Sequence, residues 1–549
     1  MSQAPLSNNQ KSLIVRRAQG KFHGGIHPDE YKNLSNQQPI ESLEFPEKLV
    51  LPVKQQLGSA GELLVKPGDK VLQGQLIVAA KDFVSANIHS PASGTIESIL
   101  PAYCGHPSGM KSQAVSLNLD KQNTQKVVLP NIDWRNPDFK QDVQLRIQNA
   151  GIVGLGGATF PTHVKTSNQQ IETLIVNAME CEPYITCDDR MLKDMPQEVI
   201  EGAQIVANLV AAKQIVFATE DNKQLSIESL SKAISNSSEI IPMSIVVAPT
   251  KYPSGGEKQT IELVTGKQVP SGQIPAALGL LVQNVATLHA VFNAVVNGIP
   301  LISRVVTITG NLVSRPGNYW ISFGTRIKDL MDLFDIDSKA CEKVIIGGPL
   351  MGQSVSDFSA PITKATNCLI FNKPDESEKL WLTQATSHQP CIRCGECEKV
   401  CPVDLLPQQL LWFSQSEQWD DLQQQGLSDC IECGACAYVC PSEIPLVQYY
   451  RYGKSAVKEI QQKNAIAEKA KQRFDFREMR IKREKEERAL KHKKAAEARR
   501  KAALDKQNDT EGKQQAINDA LARVKQKKEH RGTANTTDVS TNQNKDGES

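Results

Sequence analysis

Eight of the thirteen cysteines fall in two copies of one pattern, which constrains this chain more than any other feature. The first copy reads Cys391-Ile-Arg-Cys394-Gly-Glu-Cys397-Glu-Lys-Val-Cys401-Pro402. The second reads Cys430-Ile-Glu-Cys433-Gly-Ala-Cys436-Ala-Tyr-Val-Cys440-Pro441. In this spacing three closely set thiolates wrap one iron–sulfide cube, and the fourth, ahead of proline, ligates the partner cube. That pairing assigns Cys391, Cys394, Cys397 and Cys440 to one 4Fe-4S cluster, and Cys430, Cys433, Cys436 and Cys401 to the other. Structural zinc also takes four thiolates per site but has no use for the duplicated Cys-Pro ends. Neither motif supplies a catalytic acid, base or nucleophile; two adjacent cubes pass electrons singly.

The remaining cysteines (Cys104, Cys181, Cys187, Cys341 and Cys368) are scattered and read as small buried hydrophobes. Clustered thiols in a large chain favour metal over disulfides and a reducing compartment. Met1 to Arg17 is polar and lacks an apolar run, so no secretory signal is expected. The longest uncharged stretch, Gln268 to Ser303, contains Pro275, Gln283, Asn284, His289, Asn293 and Asn297. Each is expensive in lipid without a partner, so a buried helix with polar site residues is expected rather than a membrane span.

At 549 residues the chain exceeds what one hydrophobic core serves. We expect a multidomain α/β protein divided at 1–45, 46–120, 130–301, 302–375, 380–452 and 453–549. After an N-terminal segment (1–45), the β-rich stretch 46–120 carries Val65-Lys-Pro-Gly-Asp and Ser90-Pro-Ala-Ser-Gly-Thr-Ile96, the turns of a small sandwich. It resembles the biotinyl/lipoyl barrel-sandwich fold. Phe83 stands where a carrier of that fold has its modifiable lysine, with Lys81 two residues off, so an unmodified module is expected.

Residues 130–301 alternate apolar runs (173–177, 214–218, 243–248) with helical stretches such as 197–211, the rhythm of a Rossmann-like α/β domain with a mostly parallel sheet. In 302–375, a strand at Arg304–Gly310 and a turn at Arg315–Asn318 precede a helix capped by Thr325, with Ile327, Leu330, Met331 and Phe334 on one face. This pattern resembles the soluble-ligand-binding β-grasp (SLBB) module. The helical two-cluster, ferredoxin-type domain occupies 380–452. From Ser455 to Lys506 there are 18 Lys/Arg against 9 Asp/Glu, so a basic tail follows a body whose formal charge sums to −7. The tail reads as a long solvated helix, then disorder after about Glu529.

The second informative segment is Gly151-Ile-Val-Gly154-Leu-Gly156-Gly157-Ala-Thr159-Phe-Pro161-Thr162-His-Val-Lys165. Closely set glycines let backbone N–H groups approach a phosphate, and a following helix would aim its positive end at it. Tight turns use glycine too, so the loop alone leaves both readings open. With Asn177-Ala-Met-Glu180-Cys-Glu182-Pro183 it resembles the FMN/NADH-binding subunit of respiratory complex I. Still more, residues 22–452 resemble the C subunit of the Rnf (Rsx) electron-transport complex, through Phe22-His-Gly-Gly-Ile-His27, Lys251-Tyr252-Pro-Ser-Gly255-Gly256-Glu257, Gly347-Gly-Pro-Leu-Met-Gly352 and both cysteine motifs.

The resemblance implies FMN and nucleotide contacts from Gly154, Gly156, Gly157, Lys165, Asn177, Glu180, Glu182, Gly255, Glu257, Asn284 and Thr287. Met179, Gly256 and Gln283 depart from the flavoprotein pattern, and the carboxylates also read as merely solvated. It implies an oxidoreductase and translocase subunit that moves electrons between NAD(H), FMN and two 4Fe-4S clusters, linked to NADH or ferredoxin and without a catalytic triad. Its partners would be the other membrane-bound, ion-translocating subunits, with no nucleic acid, on the cytoplasmic side of the inner membrane. The basic tail could add attraction to anionic lipid. A soluble diaphorase subunit of a hydrogenase or formate dehydrogenase, or a non-catalytic electron-transfer scaffold, are the rival readings.

Overall fold

A computed structural model of the chain describes residues 15–105, 109–167, 171–237, 241–341, 343–373, 389–508 and 510–529. The expected boundary between the β-grasp and two-cluster segments, between 375 and 380, and the tail beyond 529 lie outside these residues. The chain divides into a body, Met1–Val457, and a second unit, Lys458–Ser549.

At the centre of the body is a five-stranded, wholly parallel sheet. Its strands are β1 (Val15–Arg17), β2 (Thr173–Ala178), β3 (Gln214–Glu220), β4 (Met243–Ala248) and β5 (Leu280–Asn284), in the order β1-β4-β3-β2-β5. A parallel sheet is covered on both faces, which is why β2 reads as a continuous apolar run. Leu174 and Val176 enter one core while Ile175 and Met179 enter another, the period-2 alternation of a strand sorting them. Each such fully buried aliphatic side chain contributes roughly 1.5–3 kcal/mol. The helices used below are α1 (Cys187–Asp194), α2 (Pro196–Leu209), α3 (Glu257–Thr265) and α4 (Val285–Val295). The long uncharged stretch is thus a strand followed by a buried helix, and its His289 meets Glu198 at 2.7 Å.

A four-stranded antiparallel sheet (Lys48–Pro52, Lys111–Leu119, Gly94–Tyr103, Lys70–Val71) and a three-stranded one (Glu62–Leu63, Leu76–Ala79, Ile88–His89) form the β-rich unit. Leu49, Leu51, Ile77 and Leu117 are buried among its strands. A further six-stranded mixed sheet is built on Ser303–Thr309, Gly317–Ser322 and Cys368–Phe371. The helix against it, Ile327–Leu333, buries the expected face of Ile327, Leu330, Met331 and Phe334. Its cap is Arg326 rather than Thr325, because the Asp329 carboxylate reaches back to the Arg326 N–H at 3.1 Å and its guanidinium at 2.6 Å. The N-terminal segment is no separate piece: Val15–Arg17 pairs with β4, and Glu41–Ser42 pairs with Gly317–Ser322.

The cysteine motifs lie in a small helical module with its own core of Leu410, Leu411, Leu422, Leu427, Ile444 and Tyr450. Leu446 starts a helix that runs to Asn508, and Thr510–Glu529 forms another. Within the second unit every described side chain is exposed. Among the described residues no helix is long and apolar enough to cross a membrane.

Candidate redox site

Ligands of open α/β sheets gather at the carboxyl ends of the strands, where neighbouring strands leave in opposite directions. Here that point lies between β2, which continues toward β3, and β5 on its other side. Asn177 lies near the end of β2, with Glu180 and Glu182 just beyond it; Asn284 ends β5, and Thr287 follows. The glycine loop is fastened to them: the Leu155 N–H donates to the Thr287 hydroxyl at 2.8 Å, and a Cβ at Gly156 would touch Asn284 at 3.4 Å. Gly157 has φ 115° and faces open space, so its backbone is approachable as only glycine allows.

Lys165 stands at the mouth, its ammonium 2.7 Å from Glu257 at the start of α3. The helix expected after the loop is a single turn, Thr162–Lys165. It ends there because the Thr166 hydroxyl turns back on the Thr162 and His163 carbonyls, competing with the backbone ladder. The longer helices that begin around the crevice are α1, α3 and α4, the last capped by Asn284, whose side chain accepts from the Ala286 N–H at 2.9 Å.

Asn177, Glu180 and Glu182 take different parts. Asn177 donates to the Gly255 carbonyl at 2.8 Å, joining β2 to the loop before α3. Glu180 adopts φ 43° and its two carboxylate oxygens receive the Asp188 and Asp189 N–H groups at 2.7 and 3.1 Å, the first turn of α1. An anion there complements the helix dipole by ~0.3–1 kcal/mol. Glu182 is half-buried and accepts from the Leu350 and Met351 N–H groups at 2.6 and 2.9 Å, and burial raises its carboxyl above the usual range. Burial, then the Glu180 charge, pushes Asp188 up to about 7.

Sequence reasoning missed the charges beneath the loop. Arg304, buried, donates to the Leu155 carbonyl at 2.8 Å, and buried Lys364 donates to the Gly151 and Asn87 carbonyls, each at 2.7 Å. Burial pulls the Lys364 ammonium down to about 7. Lys223, paired with Glu220 at 2.9 Å, holds the Met179 carbonyl before Glu180. These charges are remote in sequence and form no motif, so nothing local signals them. Phe83 is exposed at its hairpin tip, and its carbonyl lies 3.0 Å from His163 Nε2.

In the helical module Cys401, Cys430, Cys433 and Cys436 line one small cavity. Burial pushes the Cys433 thiol up to about 12 and that of Cys436 well above its ordinary value. Thiolates so placed need a bound cation, which suits iron. Cys397 lies within electrostatic reach of Cys394 and Cys440. Cys401 thus lies with the second motif's triplet, and Cys440 lies near Cys397 of the first. Of the scattered cysteines, Cys187, Cys341 and Cys368 are buried as expected, but Cys104 and Cys181 are only partly so. Cys181 accepts the Gly255 N–H at 3.2 Å. Two features fit a flavin nucleotide: the open face of Gly157, and Asp188 Oδ1 and Gln283 Nε2, which are buried without a hydrogen-bond partner.

Three family profiles match the chain: the RnfC barrel sandwich hybrid domain over residues 20–122, the Nuo51 FMN-binding domain over 147–293, and a 4Fe-4S dicluster domain over 390–444. The C subunit of the ion-translocating oxidoreductase complex of Klebsiella pneumoniae (strain 342) is 43% identical over 516 residues, 92% of this chain. The chain spans 65% of the length of that relative. Two crystal structures of NAD+-reducing [NiFe]-hydrogenase are also similar. In the H2-reduced state the match is 18% identical with a TM-score of 0.42, covering 58% of this chain and 61% of that one. In the air-oxidized state it is 17% identical with a TM-score of 0.39, covering 54% and 55%.

Proposed function

We propose that the chain belongs to the RnfC family, the C subunits of ion-translocating oxidoreductase complexes, and that it is the electron-exchanging subunit of a membrane-bound complex. NAD(H) is its proposed soluble substrate, and FMN and two 4Fe-4S clusters its cofactors. FMN would supply the change of electron count, taking two electrons as hydride and releasing them singly. The observation that carries this reading is the meeting of the glycine loop, Asn177, Glu180, Asn284 and Thr287 at the carboxyl ends of β2 and β5.

In this reading Gly154, Gly156 and Gly157 let backbone N–H groups approach the flavin phosphate. Lys165 leaves Glu257 to pair with that phosphate. Asn177 and Gly255, joined to each other, hold the floor of the crevice, while Glu180 stays fixed by α1. Glu182 is committed to the Leu350 loop, so its role is to orient neighbours rather than to touch nucleotide. The Rossmann-like and SLBB β-grasp labels, and the domain limits given above, belong to the same proposal. So do the eight cluster ligands, the cytoplasmic face of the inner membrane, and attraction of the basic tail to anionic lipid.

Cofactor analysis of the anaerobically purified chain tests the proposal. It should yield FMN and about eight irons with eight sulfides, as two cubes require. Zinc in place of iron, or a flavin-free protein after reconstitution, would overturn it.

A further inference from the structure

The two cysteine motifs are near copies in sequence but not in surroundings. Gly395 and Gly434 occupy the same place in each and share φ 79°. A Cβ on Gly395 would meet nothing within 4 Å, whereas one on Gly434 would strike the Leu350 carbonyl oxygen at 2.7 Å. Cys433 is buried and Cys394 exposed.

What covers the second copy is built from Gly24 and Gly25, Tyr252 and Leu350. The Tyr252 hydroxyl donates to the Cys433 carbonyl at 2.6 Å and lies within electrostatic reach of the Glu182 carboxyl. The Gly25 N–H donates to the Val400 carbonyl at 2.9 Å, and a Cβ on Gly24 would collide with the Cys401 carbonyl at 2.7 Å. Leu350, itself bound to Glu182, closes over Gly434. These contacts reach the loop of Cys433 and the turn of Cys401, two members of a single ligand set. Around the other set, Ile392 is 67% exposed and the Arg393 guanidinium lies over the Trp412 ring.

We infer that the two sites act in a fixed order: the Cys401, Cys430, Cys433 and Cys436 site exchanges electrons with the α/β domain, and the Cys391, Cys394, Cys397 and Cys440 site with the external partner. Tyr252 is the positioning residue at the inner crossing, close to the Glu182 carboxyl after β2 and bonded to the backbone of a ligand. Each crossing moves one electron and makes or breaks no bond. A dihydronicotinamide is the two-electron reductant, and its proton stays with the α/β site or solvent. This order rests on the function proposed above.

The test uses the reconstituted full chain and electron paramagnetic resonance. In C394S the remaining inner-cluster signal should develop on rapid mixing with NADH, as in the unmodified protein. In C401S the remaining outer cluster should be reduced by dithionite but lose rapid reduction by NADH. Rapid NADH reduction of the outer cluster in C401S overturns the order. Tyr252→Phe gives a second readout that needs neither NADH nor a ligand change. Under redox titration the midpoint potential and signal of the inner cluster should shift while those of the outer cluster stay. A shift of the outer cluster, or of neither, also overturns the inference. Should NADH reduce neither cluster in the unmodified protein while dithionite reduces both, the proposed function fails, and the Tyr252→Phe titration still decides the order.

Discussion

Replacing Gly434 and Gly395 separately by alanine measures how firmly the cluster module is seated. Both glycines have φ 79°, so either substitution costs about 1–2 kcal/mol for placing an L-residue in the left-handed region. That cost is shared. The new methyl at position 395 enters open space, while at 434 it lies 2.7 Å from the Leu350 oxygen, closer than real Cβ contacts occur. Relieving that overlap adds about 1–3 kcal/mol, the usual range for an overpacked site. The extra strain falls on the seat between the module and the α/β domain, and local opening of that seat is read by amide exchange. The Gly25 N–H, bonded to the Val400 carbonyl, is the reporter. Its exchange in G434A should be roughly five- to a hundredfold faster than in G395A, since 1.4 kcal/mol is a factor of ten. Equal exchange in the two variants would refute the seat.

Lys165→Ala should weaken FMN retention by removing a phosphate charge while iron content persists; unchanged flavin content would refute the loop's role, because the exposed pair with Glu257 is itself worth only ~0–1 kcal/mol. Asp188 titrates near 7 in the fold against 3.8 ordinarily, so the folded state binds more protons between those values and stability is lost as pH rises through that window. Asp188→Asn should therefore raise the melting temperature of the flavin-free protein more at pH 8 than at pH 5, and an equal change at both would contradict the buried-carboxyl assignment. Removing the tail after Val457 should leave iron and flavin intact but make membrane association easier to wash off with salt, as expected of ~1 kcal/mol per basic residue near an anionic leaflet; identical release with and without the tail would rule it out as an anchor. The cut must spare Lys454, whose ammonium donates to the Cys430 carbonyl at 2.6 Å.

The cysteine motifs were legible because ligand spacing is local, and the strands of the α/β domain because buried parallel strands read as apolar runs. Less visible were elements held by distant partners. Val15–Arg17 is three residues long and is a strand only because β4 lies beside it. Arg304 and Lys364 are charges that any sequence scale places outside, yet they are buried because loop carbonyls accept their hydrogen bonds. Phe22–His27, Lys251–Glu257 and Gly347–Gly352 stood out as motifs, but glycine and tyrosine do not announce what they fit against. That only their tertiary meeting supplies, at Cys433, Gly434 and Cys401.

The most direct measurement is anaerobic titration of the purified full chain with NADH, followed by flavin absorbance and electron paramagnetic resonance on the same samples. Electron exchange between a nicotinamide and the two cysteine sites predicts that flavin bleaches and both cluster signals appear. Clusters that dithionite reduces but NADH leaves oxidised, with the flavin unbleached, would contradict it.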